Sequence, residues 1–120
     1  MLIPLRNYSN YSICESNIKI DDLVNFAEKE KLPAMALTDY KLLSGALEFS
    51  TKCKNKGIQP IIGLDVDYIS KLNHKSRLTF LCKNEIGFKN LNILSTKINT
   101  EKEFYLSLDN INNFSEGNIL

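Results

Sequence analysis

The chain has 120 residues, enough for one domain and too few for two. Its 15 Lys and Arg face 14 Asp and Glu, a formal charge of +1, so no strong field is available to hold nucleic acid or an anionic membrane by electrostatics alone. Three widely spaced cysteines, Cys14, Cys53 and Cys82, form no C-x-x-C pair and argue against both a disulfide framework and a zinc ribbon; they read as reduced thiols of a cytoplasmic protein.

The opening Met1-Leu2-Ile3-Pro4-Leu5-Arg6 lacks the basic region and long apolar stretch of a signal peptide. No apolar run approaches the roughly 18 residues that span a bilayer, so a soluble cytoplasmic product without a membrane partner is expected. Ile18 to Leu32 carries Leu23, Val24, Phe26 and Ala27 at helical spacing, with Asp21 and Asp22 early and Lys29 and Lys31 late, as the helix macrodipole favours. That pattern predicts an amphipathic helix stopped by Pro33. Ala34-Met35-Ala36-Leu37 is a short continuous apolar run, the pattern of a strand buried on both faces, and it ends in polar Thr38-Asp39.

The alternation repeats. Ser44 is placed to cap a helix from Gly45 to Lys56, Gly57 to end it, and Gln59 to Val66 reads as a second buried strand. A polar turn through Asn73-His74-Lys75 leads to a strand at Leu78-Thr79-Phe80-Leu81. A third helix is predicted from Gly87 to Ile98, with Phe88, Leu91 and Leu94 on one side. Phe104 to Phe114 is less regular, and Gly117-Asn118-Ile119-Leu120 reads as a strand that has only begun. Alternating helices and strands with short links predict an α/β fold with a mainly parallel sheet.

In such folds functional groups cluster at the carboxyl ends of strands. Arg6 and Tyr8, Asp39 and Tyr40, and Asp65 with Asp67 occupy those positions, and Glu15 lies in the loop before the first helix. Carboxylates are present there and imidazoles are absent. The single histidine, His74, reads as a surface residue of a polar turn. Asp39 reads as a loop hydrogen-bonding group, because no partner suited to proton transfer is recognisable beside it. Lys52, Lys54 and Lys56 read as a solvated face favouring the helix C-terminus, and Cys14 has no base within motif reach to make it a nucleophile.

Four blocks, Leu5-Arg6-Asn7-Tyr8-Ser9-Asn10-Tyr11-Ser12, Pro33-Ala34-Met35-Ala36-Leu37-Thr38-Asp39-Tyr40, Gly45-Ala46-Leu47-Glu48-Phe49 and Gly57-Ile58-Gln59-Pro60-Ile61-Ile62-Gly63-Leu64-Asp65, stand in the order and spacing of one family. Together they resemble the N-terminal PHP (polymerase and histidinol phosphatase) domain of bacterial DNA polymerase III alpha subunits. Leu78 to Asn84 and Gly87 to Leu91 continue the likeness, which runs from about Leu2 to Ile98 and thins through Ser115-Glu116-Gly117. The resemblance implies a distorted barrel of seven βα units, of which residues 1–120 would form a single partial domain, the N-terminal half, cut off at its C-terminal end.

Active PHP domains hold divalent metals with histidines and carboxylates. The paired histidines of the first motif fall on Arg6 and Tyr8, the next carboxylate on Glu15, the histidine of the T-D-H block on Tyr40 after a retained Asp39, and a later glutamate on Asp65. Neither Arg nor Tyr supplies a neutral imidazole, and an arginine repels a cation, so neither a catalytic residue nor a metal cluster is expected. Weak Mg²⁺ or Mn²⁺ at Glu15 and Asp65 is the most this ligand set would hold. Tyr8 and Tyr11 read as filling space left by lost ligands.

The resemblance therefore implies a non-catalytic segment of a replicative DNA-directed DNA polymerase subunit. Its partners would be the remainder of that alpha subunit and the proofreading exonuclease subunit, with no direct DNA binding by this segment. The alternatives are a weak metal-dependent phosphoesterase using Glu15, Asp39 and Asp65, and a small independent binding protein. The latter would self-associate through the edge and apolar face that a half-barrel leaves open.

Overall fold

A computed structural model describes residues 2–12, 15–102 and 104–120, so Cys14 lies outside the described residues. Helix α1, Ile20–Lys29, buries Ile20, Leu23, Val24 and Ala27, the i, i+3, i+4, i+7 stripe that a 3.6-residue period places on one face. Phe26 falls off that stripe and is 50% exposed. The helix ends through Lys31 in the left-handed region, and Leu32 N–H then reaches back to the Ala27 carbonyl at 2.9 Å.

Strand β1, Ala34–Leu37, is buried at every position. Helix α2, Ala46–Asn55, follows and buries Ala46, Phe49 and Cys53. Ser44 does not cap it: Gly45 occupies the cap position, and no side chain bonds to the helix end there. The far end follows expectation, with Gly57 at φ +70° and Ile58 N–H bonded to the Cys53 carbonyl at 2.9 Å, satisfying an orphan carbonyl as left-handed caps do.

Strand β2, Gln59–Ile69, runs three residues past the predicted end, and β3, Lys75–Cys82, begins three residues before its predicted start. Helix α3, Glu85–Thr100, is capped by the Asn84 side chain, which accepts from Gly87 N–H at 3.0 Å. A short α4, Asn112–Ser115, and a two-residue β4, Asn118–Ile119, complete the described elements.

The sheet order is β1-β2-β3-β4. β1 and β2 are parallel, joined by the α2 crossover, but β2–β3 and β3–β4 are antiparallel, which corrects the expectation of mainly parallel strands. The reason lies in the link. Ser70 N–H bonds the His74 carbonyl at 2.9 Å and Asn73 takes φ +61°, closing a hairpin far too short for the dozen or more residues that a parallel crossover needs.

The pleat sorts side chains onto two faces. Met35, Leu37, Ile62, Leu64, Val66 and Phe80 face the helices and build two apolar clusters. One cluster joins α1, α2 and β1; the other joins β2 and β3 to α3, Leu106 and Phe114. The alternate residues, Gly63, Asp65 and Asp67 of β2 with Arg77 and Thr79 of β3, point to the opposite face. Among the described residues no helix is long and apolar enough to cross a membrane.

Gly63 marks a close approach. A Cβ there would lie 2.4 Å from the Phe80 carbonyl oxygen and 2.8 Å from Thr38 Cγ2, a clash largely with backbone. Gly63→Ala is therefore expected to destabilise the fold by about 1–3 kcal/mol, read as a lowered urea midpoint at unchanged slope.

Candidate functional site

The polar face of the sheet is organised by the N-terminal segment, which runs beside the end of β1. Thr38 N–H donates to the Asn7 carbonyl at 2.8 Å, and Asn7 N–H donates to Thr38 Oγ1 at 3.0 Å. Asn7 Nδ2 adds bonds to the Pro4 and Ala36 carbonyls at 3.1 and 3.0 Å. With Asn7 anchored, residues 6 and 8 are held on either side of it and reach toward the strand ends.

Asp39, 2% exposed, fixes the next loop. Its Oδ1 accepts from Ser9 N–H at 2.6 Å and Ser12 Oγ at 2.8 Å, while Oδ2 accepts from Ser9 Oγ at 2.7 Å. Tyr40 N–H in turn donates to Ser12 Oγ at 2.9 Å. The Asp39 carboxylate is thus used in holding backbone, as its sequence position implied.

Asp65 has no exposed surface. Arg6 donates to its Oδ2 from Nε at 3.0 Å and from Nη2 at 2.7 Å, the Tyr8 hydroxyl donates to the same oxygen, and the Thr79 hydroxyl donates to Oδ1. Main-chain bonds from Asp65 N–H to the Asp39 carbonyl and from Lys41 N–H to the Asp65 carbonyl lock this residue beside Tyr40.

One step along β2, Asp67 accepts from the Tyr40 hydroxyl at 2.7 and 2.6 Å and pairs with Lys41 Nζ at 3.0 Å. Arg77, its cross-strand neighbour, lies with the guanidinium carbon 3.9 Å from the Tyr40 ring centroid. Arg77 Nη2 reaches Glu15 Oε1 at 2.8 Å, and its Nη1 reaches the Tyr8 hydroxyl at 3.4 Å. Arg6, Lys41 and Arg77 therefore interleave with Glu15, Asp65 and Asp67, three positive charges against three negative ones.

The electrostatics follow from these contacts. Burial and the hydrogen bond to Asp65 push the Tyr8 phenol up from 10.0, and burial and Asp67 push Tyr40 up, so both remain neutral donors at ordinary pH. The Arg77 hydrogen bond holds Glu15 below its ordinary 4.5. Arg6 is raised, chiefly by its bond to Asp65.

The five residues that the sequence resemblance led one to expect at ligand positions come together here, with Arg6, Tyr8 and Asp65 in direct contact, Tyr40 beside Asp65 through the main chain, and Glu15 joined through Arg77. The donors do not fit a divalent metal cluster. A guanidinium occupies the approach to the Asp65 carboxylate, a second neutralises Glu15, and no imidazole is among these five residues. Tyr11 lies elsewhere, 39% exposed with its hydroxyl on Glu48, which corrects its assignment to space left by lost ligands. Lys52 and Lys56 pair across to Asp21 and Glu28 of α1.

Arg77, Thr79 and Lys41 escaped the sequence reading. A signal for the first two was present: with the strand begun at Lys75, the alternation of Arg77 and Thr79 with Leu78 and Phe80 aims them at the Asp65 and Asp67 face.

Residues 4–119 match the family model described as the PHP domain, and the chain belongs to that family. The DNA polymerase III subunit alpha of Chlamydia pneumoniae is 40% identical over 129 residues, covering 96% of this chain and 10% of that protein. The Borreliella burgdorferi counterpart is 34% identical and covers 96% of this chain and 11% of that protein. The chain is thus homologous to the N-terminal PHP region of these subunits and spans about a tenth of their length. Among solved structures, an amidohydrolase from Chromobacterium violaceum, with bound sulfate and no metal, superposes with a TM-score of 0.61 at 21% identity, covering 76% of this chain and 32% of that one. That likeness concerns the fold alone.

Two outcomes are expected. Arg6→Ala should cost about 2 kcal/mol, less than a fully buried pair because Arg6 is 55% exposed, and Asp65→Asn in the same chain should recover most of it in a double-mutant cycle by urea unfolding. Because the folded-state pKa of Glu15 is depressed, its contribution is present above about 4.5 and is lost as pH falls through the folded value. Glu15→Gln should accordingly flatten the acid side of the stability curve measured by thermal unfolding.

Proposed function

We propose that this chain is a non-catalytic PHP segment of a bacterial replicative DNA polymerase III alpha subunit, acting in replication as a structural and partner-binding part. The observation carrying that reading is the two-point hydrogen bond from Arg6 to the fully buried Asp65 carboxylate. A cation fixed to the chain stands where a metal-dependent enzyme would need an exchangeable one. Glu15, the other carboxylate considered for weak Mg²⁺ or Mn²⁺, is engaged by Arg77 through a single hydrogen bond at 2.8 Å.

In this reading the segment contributes the N-terminal half of a seven-stranded PHP barrel. The rest of the alpha subunit completes it, in the cytoplasm. The proofreading exonuclease subunit is the second proposed partner, and DNA is left to other parts of the polymerase, consistent with a net charge of only +1.

Elemental analysis of the purified chain, together with hydrolysis of a generic phosphoester after adding Mn²⁺, Zn²⁺ or Mg²⁺, tests the proposal. Metal well below one per chain and no turnover above the metal-only blank is expected. Stoichiometric metal with turnover abolished by Asp65→Ala would establish the phosphoesterase instead. A stable, inactive dimer by light scattering would favour an independent binding protein that pairs through its open sheet edge.

A further inference from the structure

The helix-bearing face of the sheet is not fully covered. Between α2 and α3 a groove of about 910 Å³ is floored by Pro60 and Ile62 of β2 and Cys82 of β3, with Leu47 and Phe88 on its walls. Helix α2 packs over β1 and β2, and α3 over β2 and β3, and the groove is the gap left between the two helices over the first residues of β2. Leu47 is 80% exposed and Phe88 37% exposed as a consequence.

The rim is basic. Lys54, Lys83 and Lys89 line the groove against one carboxylate, Glu85, and none of the three lysines enters an ion pair among the described residues. The first turn of the 16-residue α3 opens at the same place and adds the positive end of its macrodipole. This concentration contrasts with the near-neutral chain as a whole.

We infer that the groove receives an α-helical segment of a partner protein, apolar on the side that enters and acidic along its flanks. An amphipathic helix laid in an apolar groove is an established mode of recognition, and acidic flanks would match the lysines of this rim. Two-fold pairing of a second copy through the groove would set the three lysines against their own counterparts. Strands added at the sheet edges would leave the groove open, since β2 and β3 already have neighbours on both sides. The proposal does not rest on the reading of the charged network, which occupies the opposite face of the sheet.

The test is selection of a phage-displayed library of random peptides, long enough for several helical turns, on the full chain. An enriched peptide is then synthesised and titrated by fluorescence polarisation. Enriched sequences should carry aliphatic or aromatic residues at i and i+4 with Asp or Glu beside them, and binding should weaken as salt rises. Leu47→Glu, and separately the double change Lys54→Glu and Lys89→Glu, should each weaken that peptide about tenfold or more, with thermal unfolding showing the variants folded. All three positions are exposed, so the variants are expected to retain the fold. The proposal is overturned by no enrichment, by enrichment of neutral or basic sequences, or by affinity unchanged in both variants. Self-association of the chain that Leu47→Glu abolishes would assign the groove to a second copy and equally overturn it.

Discussion

A carboxylate with no exposed surface must be matched where it sits, and Asp65 is the residue around which the polar face of this sheet is arranged. Arg6 brings charge, Tyr8 and Thr79 bring hydroxyl donors, and the Asp65 main chain bonds to both residues flanking Tyr40. The contacts come from the N-terminal segment, the loop after β1, and strand β3. Neutralising one buried group thereby ties together four parts of the chain distant in sequence. The Asn7 bonds to Ala36 and Thr38, and the Ser9 and Ser12 bonds to Asp39, hold the same segment against the end of β1.

The same pleat serves two purposes. Leu64 and Val66 of β2 enter the apolar cluster beneath α3, while Asp65 and Asp67 between them enter the charged network. A shift of one residue in the β2–β3 register would exchange these sets, burying two carboxylates among leucines. Gly63 lets the strands approach closely just before that alternation begins. Fold and site are therefore specified by one register, and a network of three cations and three carboxylates keeps this face locally neutral.

Much of this was legible in the residues. The apolar spacing in α1, the unbroken run of β1 and the glycine ending α2 each act locally, so short-range pattern located them. The residues expected at ligand positions from the resemblance, Arg6, Tyr8, Tyr40 and Asp65, are set side by side by the fold. What pattern did not yield was partnership across the sheet. Arg77 was hidden because β3 was expected to begin at Leu78, one residue too late to show its alternation with Thr79. The direction of β3 was misjudged because α/β alternation predicts parallel strands, whereas the length of the connecting turn decides the matter. Tyr11, Lys52 and Lys56 find carboxylates on other elements, Glu48, Asp21 and Glu28, which no single-helix pattern encodes.

The Arg6 guanidinium compensates the buried Asp65 charge, and in the proposed reading it does so in place of a metal, offering no open coordination position and activating no water. Thermal unfolding with chelator and then with excess Mn²⁺ or Zn²⁺ tests this most directly, because a ligand of the folded state stabilises it by about 2.7 kcal/mol at a hundredfold excess over its Kd. An unchanged midpoint in both conditions is the result expected if Arg6 neutralises Asp65. A midpoint that falls with chelator and rises with metal would show that the carboxylates still bind a cation, and would contradict it.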